Sequence, residues 1–357
     1  MILAFVAGKV EYAGIQKLLF LFIMNGMHYL SAQNLKKFSG KTCLLRVDLN
    51  IEPGAPLDNY RLKAAIPTIK LLLKNKVKVV ILSHRGRPKD FDKKLSLMPF
   101  APIIAKKISH RVNFCKPGDV VLLENLRFLS GEEKNDAKLA KQLASLGDFY
   151  VNDAFAFSHR PTASMVGITK FLPSYAGPCL EKELENLGGI INYTTHPFVI
   201  VLGGAKLKEK IIGLENTVKK ADAVLLGSNV FNESGIPKSP KIIWPEDAKN
   251  HGKLIWDIGP FTANRYASVI SKARTIVWNG PPGFFEKKGF EKGTVRIWKA
   301  ILKNRKARIV IGGGETLASL KLVKNAHVPK NVFLSTGGGA MLEFLSGGKL
   351  PGIEALK

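Results

Sequence analysis

The feature that most constrains the fold of this chain is a repeated alternation of short apolar runs with amphipathic helical segments. In the first half, four apolar runs have the composition of buried strands: residues 42–47, 77–82, 120–123 and 149–151. Between them, the apolar spacing of residues 61–75 and 137–146 predicts helices. The second half repeats the pattern, with predicted strands at residues 198–202, 223–226, 275–278, 308–311 and 332–334.

Strands that alternate with helices pair in parallel and carry helices on both faces. The chain has 357 residues, a length that favours two domains, each with its own core. A predicted helix over residues 180–191 separates the two halves, so we place the boundary between residues 188 and 197. The sequence therefore predicts an α/β protein with two parallel sheets flanked by helices.

The balance of charges is unusual. Lys and Arg total 54 against 28 Asp and Glu, which gives a formal charge of +26. This charge favours polyanionic partners such as nucleotides, sugar phosphates, nucleic acid or an anionic membrane, and a generally lysine-rich surface is the alternative. The distant cysteines Cys43, Cys115 and Cys179 form no zinc-binding pattern and fit a reducing compartment. Because Cys43 lies in an apolar run, we expect it to be buried.

The first 26 residues do not fit the alternating pattern. Their apolar run, residues 18–24, is much shorter than the roughly 20 residues that span a bilayer. It also lacks a small-residue cleavage site after the apolar part. We interpret residues 1–26 as an extension outside the fold, or as the product of an upstream start codon with Met27 as the true start. A membrane tether is the alternative.

Basic and polar side chains follow the predicted strands of the first half, at the strand ends where parallel sheets bind ligands. Guanidinium forks match carboxylate and phosphate oxygens, so we expect these side chains to converge on one anion. They are Arg61, His84, Arg87, Arg127 and Arg160. Asp48 and Asn50 suit hydroxyl groups of the same ligand, whereas ordinary surface ion pairs are the alternative for each arginine. The pattern predicts a site for a small phosphorylated, carboxylated and hydroxylated metabolite.

Glycines follow the predicted strands of the second half. Without a Cβ, their backbone N–H groups approach phosphate oxygens closely, which predicts a nucleotide site. The turns are Gly203-Gly204-Ala205-Lys206, Asn279-Gly280-Pro281-Pro282-Gly283, Gly312-Gly313-Gly314-Glu315-Thr316 and Gly337-Gly338-Gly339. Lys206 and Lys210, four residues apart, are predicted to share one helical face and to reach the phosphates. The chain has no Walker A motif and no clear dinucleotide fingerprint.

An anion site on one lobe and a nucleotide-like site on the other predict phosphoryl transfer in the cleft between them. This chemistry needs positioning and charge neutralisation more than a covalent nucleophile. Consistent with that, no Ser-His-Asp or Cys-His pattern points to covalent catalysis.

Many segments resemble the motifs of phosphoglycerate kinases, in the same order, from about residue 35 to residue 357. In the first half they are Arg46-Val47-Asp48-Leu49-Asn50, Ser83-His84-Arg85-Gly86-Arg87-Pro88, Leu123-Glu124-Asn125-Leu126-Arg127-Phe128 and Asn152-Asp153-Ala154-Phe155 with His159-Arg160. In the second half they are Leu202-Gly203-Gly204-Ala205-Lys206, Asp257-Ile258-Gly259-Pro260, Val277-Trp278-Asn279-Gly280-Pro281, Gly312-Gly313-Gly314 and Ser335-Thr336-Gly337-Gly338-Gly339-Ala340. The ending, Leu350-Pro351-Gly352-Ile353-Glu354-Ala355-Leu356, also resembles that of the family.

The resemblance implies two Rossmann-like lobes joined by a hinge helix. Residues 27–190 would bind phosphoglycerate, residues 191–343 would bind nucleotide, and residues 344–357 would return to the first lobe. It also implies the reaction: reversible in-line transfer between 1,3-bisphosphoglycerate and ADP, giving 3-phosphoglycerate and ATP, in glycolysis or gluconeogenesis. The phosphoglycerate ligands would be Asp48, Asn50, Arg61, His84, Arg87, Arg127 and Arg160.

The resemblance further implies how nucleotide and phosphoryl group are held. Magnesium nucleotide would be bound by Gly203, Gly204, Ala205, Lys206, Lys210, Asn279, Glu286, Gly312, Gly313, Gly314, Glu315 and Thr316. Among these, Glu286 would hold the ribose and Glu315 would lie near Mg²⁺. Arg61, Lys206 and the backbone N–H groups around Gly338 would stabilise the transferring group after the lobes close and expel water.

The chain departs from the family pattern around the nucleotide. Glu315 stands where the family usually has aspartate, and because octahedral Mg²⁺ tolerates little geometric error, metal use is expected to change. Ser228 and Asn229 replace glycine-rich sequence at the adenine pocket, and the following section to residue 247 is shorter than usual, which leaves base preference open. Ala156 replaces a usual glycine and Arg85 adds charge to the first site.

Three rival interpretations are a nucleic-acid-binding protein, a catalytically silent relative and an NAD-linked oxidoreductase. No nucleic-acid-binding module is recognisable, Arg61, Lys206 and Asn279 argue against a silent relative, and the missing fingerprint argues against NAD. The family resemblance implies a cytoplasmic enzyme that is a monomer, because the family is mostly monomeric. We expect no membrane partner and no specific nucleic acid partner. Non-specific polyanion binding stays open because of the charge.

Overall fold

The computed structural model describes residues 26–57, 59–237 and 239–357. Residues 1–25, on which nearly all of the predicted extension falls, lie outside this range. Two six-stranded sheets organise the described chain, and the strands of each pair in parallel. The predicted α/β class with two parallel sheets is confirmed. Within the described ranges, no helix has both the length and the apolar character needed to cross a membrane.

The first sheet has the strand order β3-β4-β2-β1-β5-β6. Its strands are β1 Thr42–Arg46, β2 Lys78–Leu82, β3 Asn113–Phe114, β4 Val120–Leu122, β5 Phe149–Asn152 and β6 Ser174–Ala176. Its helices are α1 Ala32–Lys37, α2 Tyr60–Lys74, α3 Phe100–Ile108 and α4 Ala137–Ala144. Short helical turns cover Lys93–Leu95, Leu126–Phe128, Phe155–Phe157, Ala163–Gly167 and Ile168–Lys170.

Helix α5, Pro178–Asn192, leads to the second sheet, which has the order β14-β13-β12-β7-β8-β9. Its strands are β7 Phe198–Leu202, β8 Ala223–Leu226, β9 Ile242–Ile243, β12 Thr275–Asn279, β13 Arg308–Gly312 and β14 Val332–Leu334. A separate antiparallel ribbon pairs β10 Ala248–His251 with β11 Leu254–Ile258. The helices are α6 Leu207–Gly213, α7 Glu215–Lys220, α8 Pro260–Lys272, α9 Lys292–Lys303, α10 Gly314–Ala318, α11 Gly339–Leu345 and α12 Pro351–Glu354, with short turns at Ser228–Phe231 and Ser319–Leu322.

The strands are buried because helices cover both faces of each sheet. Every residue of β7 and of β12 is buried, which explains their continuous apolar sequences. Cys43 in β1 is fully buried, as predicted. Helix α2 begins at a defined residue because the Asn59 side chain accepts hydrogen bonds from the N–H groups of Arg61 and Leu62. This cap fixes the position of Arg61 at the carboxyl edge of the first sheet.

All predicted strands are present, each within one residue of its predicted ends, and the predicted helices are present within two. The sequence prediction missed β3, β6, β9 and the ribbon of β10 and β11. Strands β3 and β9 are only two residues long, too short for an alternation signal. Most of β10 is exposed, so its polar residues resemble a loop.

Helix α5 and the C-terminal segment connect the two halves. Leu180, Leu184 and Leu187 of α5 belong to one buried cluster with Phe198 of β7 and Phe344 of α11. The last helix returns to the first sheet, where the Asn152 amide donates to the carbonyl of Gly352 at 3.0 Å. The N–H of Gly352 donates to the carbonyl of Ser158 at 2.8 Å. The lobe limits 27–190, 191–343 and 344–357 stay predictions.

Candidate active site

One cavity of about 180 Å³ lies at the carboxyl edge of the first sheet. All seven side chains predicted to bind an anionic metabolite line it: Asp48, Asn50, Arg61, His84, Arg87, Arg127 and Arg160. Gly338 and Gly339, which follow β14 of the second sheet, close the same cavity from the other side. The cavity therefore draws on both halves of the chain.

Arg61 stands where the two halves meet. Its guanidinium forms an ion pair with Asp48 and lies 5.8 Å from the centre of the Tyr60 ring. It also lies 3.8 Å from the position that a Cβ on Gly314 would occupy. The Tyr60 hydroxyl donates to the carbonyl of Thr336 at 3.5 Å. Arg61 thus reaches both the basic cavity and the glycine turn after β13.

His84 is a buried, neutral hydrogen-bond donor facing this cavity. Burial lowers the pKa of His84 well below its ordinary value, and the nearby charges of Arg46 and Arg127 lower it further. Arg46 Nη2 lies 3.1 Å from His84 Nδ1. Because arginine only donates, Nδ1 must accept, and the ring proton is therefore on Nε2. The ring also packs against Phe157, with centroids 4.1 Å apart.

Acidic side chains that the sequence prediction did not include hold the arginines in place. Glu133 accepts from Arg127 Nε at 2.5 Å, and its other oxygen lies 3.8 Å from Arg160 Nη1. Behind the cavity, Ser164 accepts from buried Arg46 at 3.0 Å and donates to Glu132 at 2.5 Å. Nothing in the spacing of these residues indicated the contacts, because none falls at a regular helix or strand interval, and Arg46 and Ser164 are 118 residues apart.

Two asparagines fix the loops that carry the cations. The Asn50 amide oxygen accepts from the N–H of Gly86 at 2.8 Å, which ties the loop after β1 to the loop after β2. The Asn125 side chain accepts from the N–H groups of Arg85 and Arg127, both at 3.1 Å. Arg85 is itself buried, and its Nε donates to the carbonyl of Ile51 at 2.7 Å. Arg85 thus braces the loop instead of adding charge to the cavity.

A second cavity, of about 440 Å³, lies at the carboxyl edge of the second sheet. Four of the predicted nucleotide residues line it: Gly204, Ala205, Glu286 and Glu315. Ser228 and Asn229, which depart from the family pattern, line it too. The remaining walls come from Asn232, Leu254, Ile255, Trp256, Pro281, Pro282, Gly283 and Phe284. The ribbon residues among these were missed, and the apolar run Leu254-Ile255-Trp256 was the signal that could have found them.

The turns after β7 and β12 touch through their backbones. A Cβ on Gly203 would overlap the carbonyl of Pro281, and a Cβ on Gly280 would overlap the carbonyl of Gly203. Gly280 also has φ +90°, a conformation that favours glycine. The N–H of Gly204 donates to the carbonyl of Pro281 at 2.9 Å. Glycine is required here because neighbouring strands bring their turns into direct contact.

The two lysines after β7 do not share a helical face, so that prediction is wrong. Lys206 lies before α6 with φ +60°, is exposed, and lines neither cavity. Lys210 lies within α6, and its Nζ donates to the carbonyl of Gly203 at 2.7 Å. Burial lowers the pKa of Lys210, an effect that the carboxylates of Glu315 and Glu233 oppose. Only Lys210 is thereby fixed against the glycine turn.

Asn279 and Thr316 lie beneath the glycine turns. Thr316 Oγ1 accepts from the N–H of Gly280 at 2.7 Å. Asn279 is buried, and its Nδ2 has no hydrogen-bond partner among the described residues. This Nδ2 lies 3.3 Å from the position of a Cβ on Gly313. Buried donors are rarely left unpaired, so Asn279 is a strong candidate for a ligand contact.

Two carboxylates of the described residues line the second cavity, those of Glu286 and Glu315, and Glu315 is the one beside the turn after β7. In the described part of the chain, no group of three or more His, Cys, Asp or Glu side chains is arranged to hold a metal by itself. Glu315 Oε2 lies 3.4 Å from the position of a Cβ on Gly204, on the wall of the second cavity. Mg²⁺ is commonly bound by one or two carboxylates together with substrate phosphates, which this arrangement fits.

A larger depression of about 540 Å³ lies beside β9. The residues that line it in the described chain are Ser239, Pro240, Ile242 and Trp244. None of these side chains is ionisable near neutral pH, so the depression offers no groups for phosphoryl chemistry. The two cavities at the strand ends are the better candidates.

Comparisons with known proteins agree with this geometry. The phosphoglycerate kinase family model matches residues 33–234 and 230–348. A phosphoglycerate kinase from Moorella thermoacetica is 38% identical over 385 aligned positions, which cover 90% of this chain and 97% of that protein. One from Dictyoglomus turgidum is 37% identical, over 89% of this chain and 96% of that protein.

Solved structures give the same result. A phosphoglycerate kinase from Pyrococcus horikoshii has a TM-score of 0.79 at 33% identity, covering 89% of this chain and 96% of that one. One from Coxiella burnetii has a TM-score of 0.73 at 33% identity, covering 92% and 98%. The sequence match, the two parallel sheets and the paired cavities lead to one conclusion: this chain belongs to the phosphoglycerate kinase family.

Proposed function

We propose that the two cavities divide the family's reaction between them. The basic cavity binds 3-phosphoglycerate or 1,3-bisphosphoglycerate, and the cavity of the second sheet binds ADP or ATP. The observation that carries the proposal is the position of Arg61, which lines the basic cavity and approaches Gly314 in the glycine turn. A phosphoryl group passing between the two ligands would have to pass this guanidinium.

In the basic cavity, the proposed roles follow from charge and protonation. Arg87, Arg127 and Arg160 bind the phosphate and carboxylate of the metabolite through charge-assisted hydrogen bonds. His84 donates from Nε2, because its Nδ1 is occupied by Arg46. Asp48 and Asn50 accept from the hydroxyl group or orient it. Arg61, which Asp48 holds in place, neutralises charge that develops on the transferring group.

In the second cavity, backbone groups bind most of the nucleotide. The N–H groups around Gly203, Gly204, Gly313 and Gly314 approach the phosphates, and Asn279 supplies its free donor. Lys206 is exposed and is proposed to swing onto the transferring phosphate when nucleotide binds. Glu286 holds the ribose, and Gly338 closes the reacting centre with its backbone N–H. Burial of this centre on lobe closure protects the acyl phosphate from water.

Magnesium is proposed to enter as part of the nucleotide substrate, with Glu315 as the protein carboxylate near it. The ion would supply positive charge to the nucleotide phosphates. Glu315→Gln is expected to raise the Mg²⁺ concentration needed for half-maximal turnover, measured by titration at fixed ATP. An unchanged requirement would remove Glu315 from the metal site.

The location, the oligomeric state and the base preference of the enzyme are proposals as well. We propose a cytoplasmic monomer, in keeping with the few, distant and unpaired cysteines and the family resemblance. Base preference is proposed to be relaxed, because Ser228 and Asn229 bring polar side chains to the wall of the nucleotide cavity.

A coupled assay tests the proposed function. The purified chain receives 3-phosphoglycerate and Mg-ATP, and a downstream dehydrogenase reports acyl phosphate as loss of NADH. Turnover is expected to depend on both substrates and to fall strongly in Lys206→Ala. Lys208→Ala, an exposed lysine two residues further on, is the matched control and should stay near wild type. GTP in place of ATP measures base preference.

The absence of turnover from folded protein, with every nucleotide and metal tried, would contradict the proposal. It would favour the rival interpretation of a catalytically silent relative. Equal losses in the Lys206 and Lys208 variants would instead contradict the role given to Lys206 while leaving the reaction intact.

A further inference from the structure

The edge of the second sheet that faces away from the glycine turns carries a row of cations. Parallel strands all begin at this edge, and basic residues lie just before four of them. Lys241 precedes β9, Arg274 precedes β12, Arg305 and Lys306 precede β13, and Lys330 precedes β14. We call these five residues the basic edge.

Backbone hydrogen bonds hold the segments of the basic edge side by side. The N–H of Arg274 donates to the carbonyl of Pro197 at 2.8 Å, and the N–H of Arg308 donates to the carbonyl of Arg274 at 2.8 Å. At the far strand, the N–H of Val224 donates to the carbonyl of Lys241 at 2.7 Å. Strands lie about 4.8 Å apart, so a six-stranded edge forms a row about 24 Å long.

Further cations reach this edge at the ends of helices. Lys220, Lys272 and Lys303 lie in the last turns of α7, α8 and α9. Cations at a helix C-terminus are favoured by the helix dipole, which accounts for these three without any ligand. The helix dipole does not explain the five residues of the basic edge, because these residues lie in loops.

Lys241 is half-buried, and its Nζ donates to the carbonyl of Lys219 at 2.6 Å. The other four cations of the basic edge are not neutralised by the protein. Arg274, Arg305, Lys306 and Lys330 are exposed, and no carboxylate of the described residues forms an ion pair with them. Among the described residues at this edge, Asp222 lies directly before β8. Its carboxylate is engaged by His196 Nδ1 and by the N–H of Phe198, both at 2.6 Å.

We propose that the basic edge binds the phosphodiester backbone of double-stranded nucleic acid without reading its sequence. The row is as long as about seven base-pair steps of 3.4 Å, so several phosphates can meet it at once. Single strands would need exposed aromatic platforms, and an amphipathic segment that inserts into a membrane would need apolar residues beside its cations. The large apolar side chains that are exposed in the described chain lie outside these segments.

This surface is separate from the proposed catalytic machinery. The strands between the two edges are up to five residues long, about 16 Å at 3.3 Å per residue. Nucleic acid on the basic edge therefore leaves both cavities open. The proposed nucleic acid binding is independent of the kinase reaction, so the result of either assay does not decide the other.

The test is binding of a labelled random-sequence 20-base-pair DNA duplex to the full chain, measured by fluorescence anisotropy over a series of salt concentrations. We expect a dissociation constant on the order of 10⁻⁴ to 10⁻⁶ M near physiological salt, falling steeply at lower salt. The triple variant Arg274→Gln, Arg305→Gln, Lys306→Gln should weaken binding at least tenfold. Its log–log salt slope should be smaller by about 2.7, from about 0.9 per lost phosphate contact.

The control variant removes the same charge from the opposite side of the same lobe: Lys253→Gln, Lys287→Gln, Lys288→Gln, all exposed. It should bind the duplex within about twofold of wild type, and the first triple variant should keep its kinase turnover. Equal losses in the two variants would reduce the effect to overall charge and overturn the proposal. If saturating 3-phosphoglycerate displaced the duplex, the duplex would be bound at the basic cavity and not at the basic edge, which would overturn the proposal. Binding to phosphatidylserine vesicles but not to duplex would assign the edge to a membrane.

Discussion

The two cavities are both proposed to bind phosphate-bearing ligands, but they are built in opposite ways. The basic cavity relies on side-chain charge, with Arg61, Arg87, Arg127 and Arg160 around it. The nucleotide cavity relies on backbone, with turns that pass so close together that a Cβ on Gly203 or Gly280 would overlap the neighbouring carbonyl. We therefore propose that the small metabolite is bound mainly by charged side chains and the nucleotide mainly by main-chain groups.

The difference lies also in what each cavity needs from the rest of the fold. The cations need partners that hold flexible side chains still, and Asp48 and Glu133 provide them. The glycine turns need only the fixed spacing of neighbouring parallel strands, because their ligand-binding groups are part of the backbone. Removing a side chain should therefore damage the first cavity, and adding an atom should damage the second.

The largest effect is expected at Arg61, where the two cavities meet. Arg61→Ala removes the guanidinium proposed to neutralise the transferring group, so turnover in the coupled assay should fall on the order of 10³-fold or more. Lys63→Ala, an exposed cation on the same helix, is the control and should change turnover less than twofold. A loss below tenfold for Arg61→Ala would contradict its role in the transfer step.

A second effect concerns Glu183, which joins α5 to the loop before Gly337. Its carboxylate accepts from the hydroxyl groups of Ser335 and Thr336, both at 2.7 Å. Burial raises the pKa of Glu183 from 4.5 to about 7 despite these donors. The native state therefore binds the proton more tightly than the unfolded state, and the stability of the native state falls as pH rises from about 4.5 to about 7.

The size of this pH effect follows from the shift in pKa. A shift from 4.5 to about 7 corresponds to about 3 kcal/mol, as an upper value, between pH 4.5 and pH 7. Glu183→Gln should lose that part of the pH dependence of the unfolding free energy, measured with urea at several pH values. Glu185→Gln, on the exposed side of the same helix, should keep the wild-type slope. Identical slopes in all three proteins would show that Glu183 does not titrate in this range.

The smallest expected effect is at Gly280, in the cavity that relies on backbone groups. Gly280→Ala adds a methyl group at φ +90° against the carbonyl of Gly203. It should weaken ADP binding about tenfold in calorimetry, since backbone strain of 1–3 kcal/mol distorts the turn, and leave 3-phosphoglycerate affinity unchanged. Gly213→Ala, with nothing within 4 Å of the added methyl, should leave both affinities unchanged. Parallel loss of both ligands in Gly280→Ala would mean that the cavities are not independent.

The motifs of both cavities were predictable from sequence because each follows a strand, and parallel strands end at one edge. That rule brought Asp48, His84, Arg127 and Arg160 into one cavity without any knowledge of distances. The same rule could not find Glu132, Glu133 or Ser164, whose contacts depend on how loops fold over the sheet edge. It also misplaced Lys206, since the backbone of this residue is left-handed and places it before α6, which residue spacing does not reveal.

The amino-acid sequence was sufficient to predict the two parallel sheets, the order of the functional turns and the chemical character of each cavity. These properties depend on local apolar patterns and residue types, which a linear chain displays directly. Tertiary structure alone decided that Gly338 closes the basic cavity, that Arg61 approaches Gly314, and that the cations before the strands of the second sheet form one row. Each of these depends on the packing of segments far apart in the chain, and the spacing of residues along a sequence contains no measure of that distance.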